Sequence, residues 1–217
     1  MSSNAQLTRR AWLAFAVASV PLAALPGVAR AGSSDDALKS VADARASLKT
    51  LVAKFTQVRK VGLLADEVTS TGELTIVMPD QLRWELFAPD DIVYWVSSKG
   101  VAYKTKNSKK ATTAPAGAFG SILPDLIAFL GGDLAKLKSR YEITATPESD
   151  GSVSMVAKPT DAKIKEHLKK LSMRTNAEKW GIASVVIEEP KGDSSSITFQ
   201  ANQKNVKVDA DRMKPPA

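Results

Sequence analysis

The sequence from Gly72 to Leu86 reads GELTIVMPDQLRWEL, and apolar side chains recur in it at every second position. A period of two places such side chains on one face of a β-strand and leaves their polar neighbours on the other face. The Pro79-Asp80 pair between the two halves is a typical turn signal. The stretch therefore predicts a β-hairpin with one apolar face, formed by Leu74, Ile76, Met78, Leu82, Trp84 and Leu86.

Similar turn signals recur along the chain, at 89–91, 99–100, 150–151, 180–181 and 191–193. They are spaced closely enough to connect successive antiparallel strands. In the second half of the chain, further strands are predicted at about 140–146, 153–158, 168–175, 182–188 and 195–201. The sequence thus predicts an antiparallel meander as the bulk of the fold.

Before the hairpin, apolar residues from Asp35 to Phe55 follow helical spacing and predict one amphipathic helix that leads into a strand. Ser34 is the expected N-cap, and Asp35 and Asp36 lie in the first turn, where negative charge is favourable. The apolar side of this helix comprises Leu38, Val41, Leu48, Leu51, Val52 and Phe55.

Residues 115–132 read PAGAFGSILPDLIAFLGG, with apolar side chains on almost every face of a helix. The segment is too short to span a membrane, which needs about 20 residues. Pro124 and the Gly131-Gly132 pair are expected to divide it into one or two short helices. Asp133 is expected to cap another short helix that follows.

Residues 1–31 predict an export signal, because Arg9 and Arg10 precede an apolar run that ends near a small-x-small cleavage site at 29–31. The run is shorter than the about 20 residues of a spanning helix, so cleavage after Ala31 is favoured over an N-terminal anchor. The arginine pair resembles the twin-arginine signature, with the general secretory route as the alternative. We therefore expect a periplasmic protein in which residues 32–217 form a single domain.

The composition excludes several classes of site. The chain has no cysteine and one histidine, His167, which rules out thiolate nucleophiles, Fe–S clusters and two-histidine metal sites. It contains no nucleotide-binding, serine-hydrolase or metalloprotease motif. Adjacent carboxylate pairs such as Asp90-Asp91 point to opposite faces of an extended segment and cannot share a site. We expect no catalytic residue, no cofactor and no metal.

The charge of the chain is mildly basic. Without the three arginines of the predicted leader, the formal charge falls from +7 to +4, which is too small to indicate nucleic acid binding. Lysine-rich groups at 104–110 and 163–170 lack interleaved aromatic residues and are read as solvated surfaces. Docking of these groups to an anionic lipid surface is the alternative interpretation.

An ordered series of short motifs continues outward from the hairpin. Phe55-Thr56-Gln57 lies before it, and SSKGVAY, from Ser97 to Tyr103, lies after it. Further along come Lys158-Pro159, Gly181 and the segment from Asn205 to Pro216. Together and in this order, these motifs resemble the LolA family of periplasmic outer-membrane lipoprotein carriers. The resemblance covers essentially the whole chain after residue 31.

The resemblance implies an α+β fold in which a strongly curved, unclosed antiparallel β-sheet, a half-barrel, is covered by a helical lid over an apolar cavity. Because that family binds acyl chains in the cavity, it implies a carrier for lipoproteins or for another acylated lipid. The implied cavity residues are Phe55, Leu74, Ile76, Met78, Leu82 and Trp84 from helix and sheet, and Phe119, Ile122, Leu126 and Phe129 from the lid.

The family scheme further implies a monomer that performs no chemistry, loading by an inner-membrane ABC transporter and delivery to an outer-membrane acceptor. The alternative is a periplasmic lipid- or lipoprotein-sensing regulator of envelope stress, since related folds serve in such signalling. Without the resemblance, the hydrophobic pattern fits equally well a sheet-and-helix core that binds no ligand.

One position departs from the family pattern. Carriers of the well-known type have an arginine immediately before the proline of the hairpin, where it ties the sheet to the lid by hydrogen bonds. This chain has Met78 at that position. A thioether can only pack against lid residues such as Phe119 or Ile122. We therefore expect the lid to be held by apolar contact alone, without a polar latch.

Overall fold

The computed structural model describes residues 33–62, 67–113, 118–131 and 134–216, with only the backbone described at 118–124 and 135. The helices are α1 (Ser34–Arg45), α2 (Ala118–Gly131), a 3₁₀ helix (Leu134–Leu137) and α3 (Ala162–Lys165). The strands are β1 (Thr50–Lys60), β2 (Val68–Val77), β3 (Gln81–Leu86), β4 (Ile92–Ser97), β5 (Gly100–Thr105), β6 (Thr112–Thr113), β7 (Tyr141–Pro147), β8 (Val153–Pro159), β9 (Lys170–Thr175), β10 (Ile182–Glu188) and β11 (Ser194–Lys204).

All of these strands belong to one sheet, in the order β6-β5-β4-β3-β2-β1-β11-β10-β9-β8-β7. Every neighbouring pair is antiparallel. The pairing of β1 with β11 joins the two halves of the meander. Among the described strands, no ladder connects β6 to β7, so the sheet is not closed. The predicted α+β fold with an unclosed antiparallel sheet is confirmed.

The hairpin predicted from residues 72–86 is the β2–β3 pair, in which Leu74 lies opposite Trp84 and Ile76 lies opposite Leu82. These four side chains are at most 1% exposed and belong to the main buried cluster. We call the side of the sheet that carries them the inner face. Each predicted turn signal lies at the junction of two consecutive strands, as an antiparallel meander requires.

The opposite, outer face is less exposed than the alternating pattern predicts. Thr75, which points to that face, is only 2% exposed. The C-terminal segment 206–216 lies across this part of the sheet, where Trp95 Nε1 donates a hydrogen bond of 2.9 Å to the carbonyl oxygen of Arg212. The Arg212 guanidinium lies 3.1 Å from the carboxylate of Glu73 on β2. The end of the chain therefore covers outer-face residues that the sequence pattern places in water.

Helix α1 begins one residue earlier than predicted and is much shorter. Its N-cap is Ser33 rather than Ser34, and Ser33 and Asp36 form a capping box through reciprocal side-chain-to-backbone hydrogen bonds. The helix ends at Arg45. Of the predicted helical residues beyond it, those from 50 to 55 lie on β1, because ladders to both β2 and β11 hold this backbone extended.

The apolar middle segment forms a single helix, α2, which Pro124 does not divide. A proline inside a helix removes one backbone donor, but tertiary packing supplies most of the stability of a helix in a protein. Here Leu126, Phe129 and Leu130 are all 0% exposed. The expected cap Asp133 and the predicted export signal lie outside the described residues. None of the helices described in the structure is long and apolar enough to cross a membrane.

Candidate functional site

Helix α2 covers the apolar inner face of the sheet. Its residues Leu126, Phe129 and Leu130 belong to the same buried cluster as the inner-face residues of β1, β2 and β3. Helix α1 contributes Leu38 and Val41 to the same cluster. The half-barrel thus encloses its apolar contents between a sheet and two helices.

Three aromatic side chains lie together in this cluster. The ring centroids of Phe55 and Trp84 are 4.3 Å apart. The ring centroid of Phe199 lies 5.9 Å from that of Phe55 and 6.2 Å from that of Trp84. Gly72 provides the space that the Phe55 ring occupies, because a Cβ atom at Gly72 would collide with that ring and with the carbonyl oxygen of Glu85. The glycine that begins the hairpin motif is therefore required by close packing.

The structure brings together most of the residues predicted from the sequence to line a cavity. Seven of them lie in the buried cluster and are at most 3% exposed, namely Phe55, Leu74, Ile76, Leu82, Trp84, Leu126 and Phe129. Met78 is partly buried and packs against the same cluster. The side chains of Phe119 and Ile122 lie outside the described residues. In this structure the seven residues form a closed core.

An open pocket of about 440 Å³ adjoins that core, and its size is within the range of small-molecule binding sites. It lies between the C-terminal part of α1, the C-terminal end of α2, the turn that joins β2 to β3 and the end of β4. Its apolar lining includes Ala42, Leu48, Met78, Val96, Ile127 and Ala128. Its polar lining includes Arg45, Asp80, Ser97, Ser98 and Lys136. Of the residues predicted from the sequence, Met78 lines this pocket.

Arg45 connects α1 to α2 through a buried guanidinium, which is 3% exposed. It donates hydrogen bonds of 3.0 Å to the carbonyl oxygen of Phe129 and of 3.3 Å to the carbonyl oxygens of Trp180 and Gly181. Burial lowers the pKa of Arg45 to about 10, so the side chain is still protonated at neutral pH. The expectation that no polar latch holds the lid is therefore wrong, because Arg45 supplies one from another element.

Asp125 makes a second polar contact between α2 and the rest of the protein. One carboxylate oxygen accepts a hydrogen bond of 2.6 Å from the Tyr141 hydroxyl, and the other lies 2.6 Å from the Arg140 guanidinium. Burial, followed by the hydrogen bond from the hydroxyl to Asp125, raises the pKa of Tyr141. This contact includes an ion pair, so the expectation that apolar contact alone holds α2 is wrong on a second count.

Met78 packs against Gly131 at the end of α2. The side chains of Phe119 and Ile122, its predicted partners, lie outside the described residues. A Cβ atom at Gly131 would lie 3.0 Å from Met78 Cε and 3.1 Å from its sulfur, so the thioether lies directly against the glycine. The absence of a side chain at Gly131 lets the flexible methionine fill this space. Met78 therefore contributes apolar contact to α2 while Arg45 contributes the hydrogen bonds.

Within the described ranges, no group of three or more histidine, aspartate or glutamate side chains is placed to hold a metal ion. Asp125 is engaged by Tyr141 and Arg140. What the described site offers chemically is an apolar interior, an adjoining pocket and a helix held by polar contacts that can be broken and remade.

The model of the family described as "Outer membrane lipoprotein carrier protein LolA" matches residues 46–215. An outer-membrane lipoprotein carrier protein from Coxiella burnetii is 28% identical over 131 residues, which are 60% of this chain and 60% of that protein. Another with the same name, from Pseudomonas fluorescens, is 25% identical over 166 residues, 76% of this chain and 77% of that protein.

Among solved structures, a DUF1329 family protein from Desulfovibrio piger is similar in fold, with a TM-score of 0.52 and 7% identity. The similarity covers 84% of this chain and 97% of that one. The family match extends from the end of α1 to the segment that crosses the outer face, and so includes the whole sheet and α2. The chain belongs to the LolA family, described as outer membrane lipoprotein carrier proteins.

Proposed function

We propose that this protein is a non-enzymatic carrier that takes up the acyl chains of a lipoprotein, or of another acylated lipid, beneath helix α2. The observation that carries the proposal is an apolar helix that covers the apolar face of an unclosed sheet beside an open pocket of about 440 Å³. Family membership and the names of the two relatives support it.

The physical need for such a carrier follows from the cost of exposing acyl chains to water, which is about 0.8 kcal/mol per CH₂. A single chain of ordinary length therefore costs on the order of 10 kcal/mol in water. A compartment that excludes water removes most of this cost without any chemical reaction. Binding of the acyl chain by this compartment has to be reversible, so that another protein or a membrane can take the cargo.

In this proposal α2 is the lid. The pocket between Ala42, Met78 and Ala128 receives the first part of an acyl chain. Movement of α2 then exposes the core residues around Phe55 and Trp84 to the rest of the chain. The Arg45 and Asp125 contacts hold α2 in place when no cargo is bound, because each joins α2 to a different element.

The proposed site of action is the periplasm, after cleavage of the export signal following Ala31. There the protein acts as a monomer, is loaded by an inner-membrane ABC transporter and delivers its cargo to an outer-membrane acceptor. The name of the two relatives, outer-membrane lipoprotein carrier protein, supports a lipoprotein as the cargo in this scheme. The acyl-binding residues proposed for the open state are those predicted from the sequence, including the lid residues Phe119 and Ile122.

A first experiment tests the pocket with a fluorescent fatty-acyl probe. Ala42 is half-buried and lines the pocket, whereas Ala44 is also half-buried on the same helix but is not part of its lining. We expect Ala42→Trp to weaken probe binding about tenfold, since displacing even two methylenes costs about 1.6 kcal/mol. Ala44→Trp is the matched control and should bind normally. Equal affinities of the two variants would contradict the pocket assignment.

A second experiment tests the lid. The chain has no cysteine, so Met78→Cys and Gly131→Cys together introduce the only thiols, at a place where the two residues are in contact. A short, reducible cross-linker between them ties α2 to the hairpin. We expect the cross-linked protein to lose uptake of a di- or triacylated lipopeptide and to regain it on reduction. Unchanged uptake by the cross-linked protein would show that α2 does not move.

A further inference from the structure

A buried glutamine interrupts the run of apolar inner-face residues on β1. Gln57 follows Leu51, Ala53 and Phe55 at alternate positions of β1 and is 5% exposed. Its side-chain oxygen Oε1 is buried and has no hydrogen-bond partner among the described residues. Most buried side-chain polar atoms in proteins are hydrogen-bonded. An unpaired acceptor inside an apolar compartment therefore indicates a partner that comes from outside the chain.

Two buried serines accompany this glutamine. Ser70 lies directly opposite Gln57 on β2, and Ser195 lies two residues before Ile197, the residue that faces Gln57 on β11. Both serines are 6% exposed. Side chains at directly opposite and diagonal positions of a sheet lie within about 8 Å of one another. We call Gln57, Ser70 and Ser195 the polar cluster.

We propose that the polar cluster binds the amide group that links an acyl chain to its cargo, with the amide N–H donating a hydrogen bond to Gln57 Oε1. This inference rests on the proposed function, because it requires an acyl chain inside the compartment. An amide presents one donor and one acceptor. The cluster offers a matching acceptor on Gln57 and hydroxyl donors on Ser70 and Ser195.

The position of the cluster fits a ligand with a polar end and a long apolar remainder. Phe55 lies next to Gln57 on the inner face, and Leu51 lies six residues from Gln57 along β1. At about 3.4 Å per residue, this strand offers about 20 Å of apolar surface beyond the amide. An acyl chain anchored at Gln57 therefore runs along β1 past the aromatic side chains and towards the helix α1 end of the sheet.

The same geometry discriminates between kinds of acyl ligand. A fatty carboxylate and a fatty ester both lack an N–H donor at the polar end, so neither satisfies Gln57 Oε1. The exposed Arg59, the next inner-face position on β1, attracts any carboxylate by its charge. Neutral ligands are therefore needed to isolate the hydrogen bond from this electrostatic attraction.

The experiment compares N-methyldodecanamide with methyl dodecanoate, two neutral ligands that differ only in N–H against O, by displacement of a fluorescent acyl probe. We expect the native protein to bind the amide several-fold to about tenfold more tightly than the ester. Gln57→Met should reduce this preference to about one, and Gln57→Leu is a second variant for the same test. Gln200→Met, at an exposed position on β11, is the matched control and should keep the preference.

A stability measurement separates this role from a structural one. Gln57→Met removes an unpaired buried acceptor, so the empty variant should resist urea at least as well as the native protein. A lower urea midpoint with an unchanged amide preference would mean that Gln57 only supports the fold. Equal affinity of the native protein for amide and ester, or tighter binding of dodecan-1-ol than of the amide, would overturn the assignment. Binding of none of these ligands would instead overturn the proposed function.

Discussion

The Arg45 guanidinium donates a hydrogen bond of 3.0 Å to the carbonyl oxygen of Phe129, and so joins the last residue of α1 to the last turn of α2. Carbonyl groups in the last turn of a helix have no partner within the helix. Helix α2 has no basic residue of its own there. Arg45 therefore supplies, from a neighbouring helix, the cation that a helix C-terminus favours.

We predict that Arg45→Met lowers the free energy of unfolding by about 1–3 kcal/mol, because it leaves buried carbonyl oxygens without a donor. The loss is reduced by removal of a buried charge, which favours the variant. Hydrogen exchange should localise the effect, with faster exchange of the α2 amides from 125 to 131. Arg45→Lys is the control that keeps the charge. It should give a smaller loss than Arg45→Met because its ammonium group can still donate hydrogen bonds, but some loss remains because one ammonium does not reproduce the guanidinium fork. Unchanged α2 exchange in Arg45→Met would refute the latch.

The Tyr141–Asp125 contact predicts a specific dependence of stability on pH. Burial and the hydrogen bond to Asp125 raise the pKa of Tyr141 above its ordinary value of about 10. The folded state thus favours the neutral phenol, and its stabilisation is complete below about pH 10 and decreases as the pH rises further. At pH 7 the native protein should be about 1–3 kcal/mol more stable than Tyr141→Phe.

Urea denaturation of both proteins between pH 7 and pH 11 measures this difference directly. The difference in free energy of unfolding between the native protein and the variant should be constant up to about pH 9 and decrease above about pH 10. A gap that stays constant to pH 11, or that is absent at pH 7, would be inconsistent with the Tyr141 hydroxyl holding Asp125.

The close packing around Gly72 leaves no room for a side chain at this position. Gly72→Ala should destabilise the protein by about 1–3 kcal/mol, because its Cβ atom collides with the backbone of Glu85 and the ring of Phe55. Gly62→Ala is the matched control, since its Cβ atom would meet nothing closer than Asp193 Oδ1 at 3.6 Å. Thermal unfolding of the two variants decides the matter, and similar midpoints would contradict the packing described for Phe55.

The export signal predicted at residues 1–31 can be tested by identifying the mature N-terminus of the protein. Cleavage after Ala31 should yield a periplasmic chain that begins at Gly32, which mass spectrometry of the periplasmic fraction can establish. If export follows the twin-arginine route, replacing Arg9 and Arg10 together by lysine should leave the precursor in the cytoplasm. A normal periplasmic level of that double variant would instead indicate the general secretory pathway.

The sheet was predictable because its strands follow a clear alternation, as in Leu74, Ile76, Leu82 and Trp84. The boundary between α1 and β1 was not, because Leu48, Leu51 and Phe55 fit a helical spacing while Leu51, Ala53 and Phe55 also fit a strand. Local pattern cannot choose between these periods. Pairing with β2 and β11, which come from distant parts of the chain, makes the choice.

The polar contacts of the site were harder to predict than its apolar residues. Leu38, Val41 and Arg45 follow one another at spacings of three and four residues, so Arg45 lies on the buried side of α1. A charged residue on the buried side of a helix is the one feature of the sequence that points to this contact. Its acceptors, the carbonyl oxygens of Phe129, Trp180 and Gly181, are brought to it only by the packing of elements far apart in sequence.

The two unpaired edges of the sheet, β6 and β7, have a consequence for capacity. In a closed barrel, the number of strands and their stagger fix the diameter, and a larger content requires broken hydrogen bonds. No ladder joins β6 to β7 in the described part of the chain, so the distance between these edges is free of that constraint. The width of the half-barrel can therefore change with the volume that it encloses while every existing strand pair stays intact. Under the proposed function, the same fold can then hold one acyl chain or several.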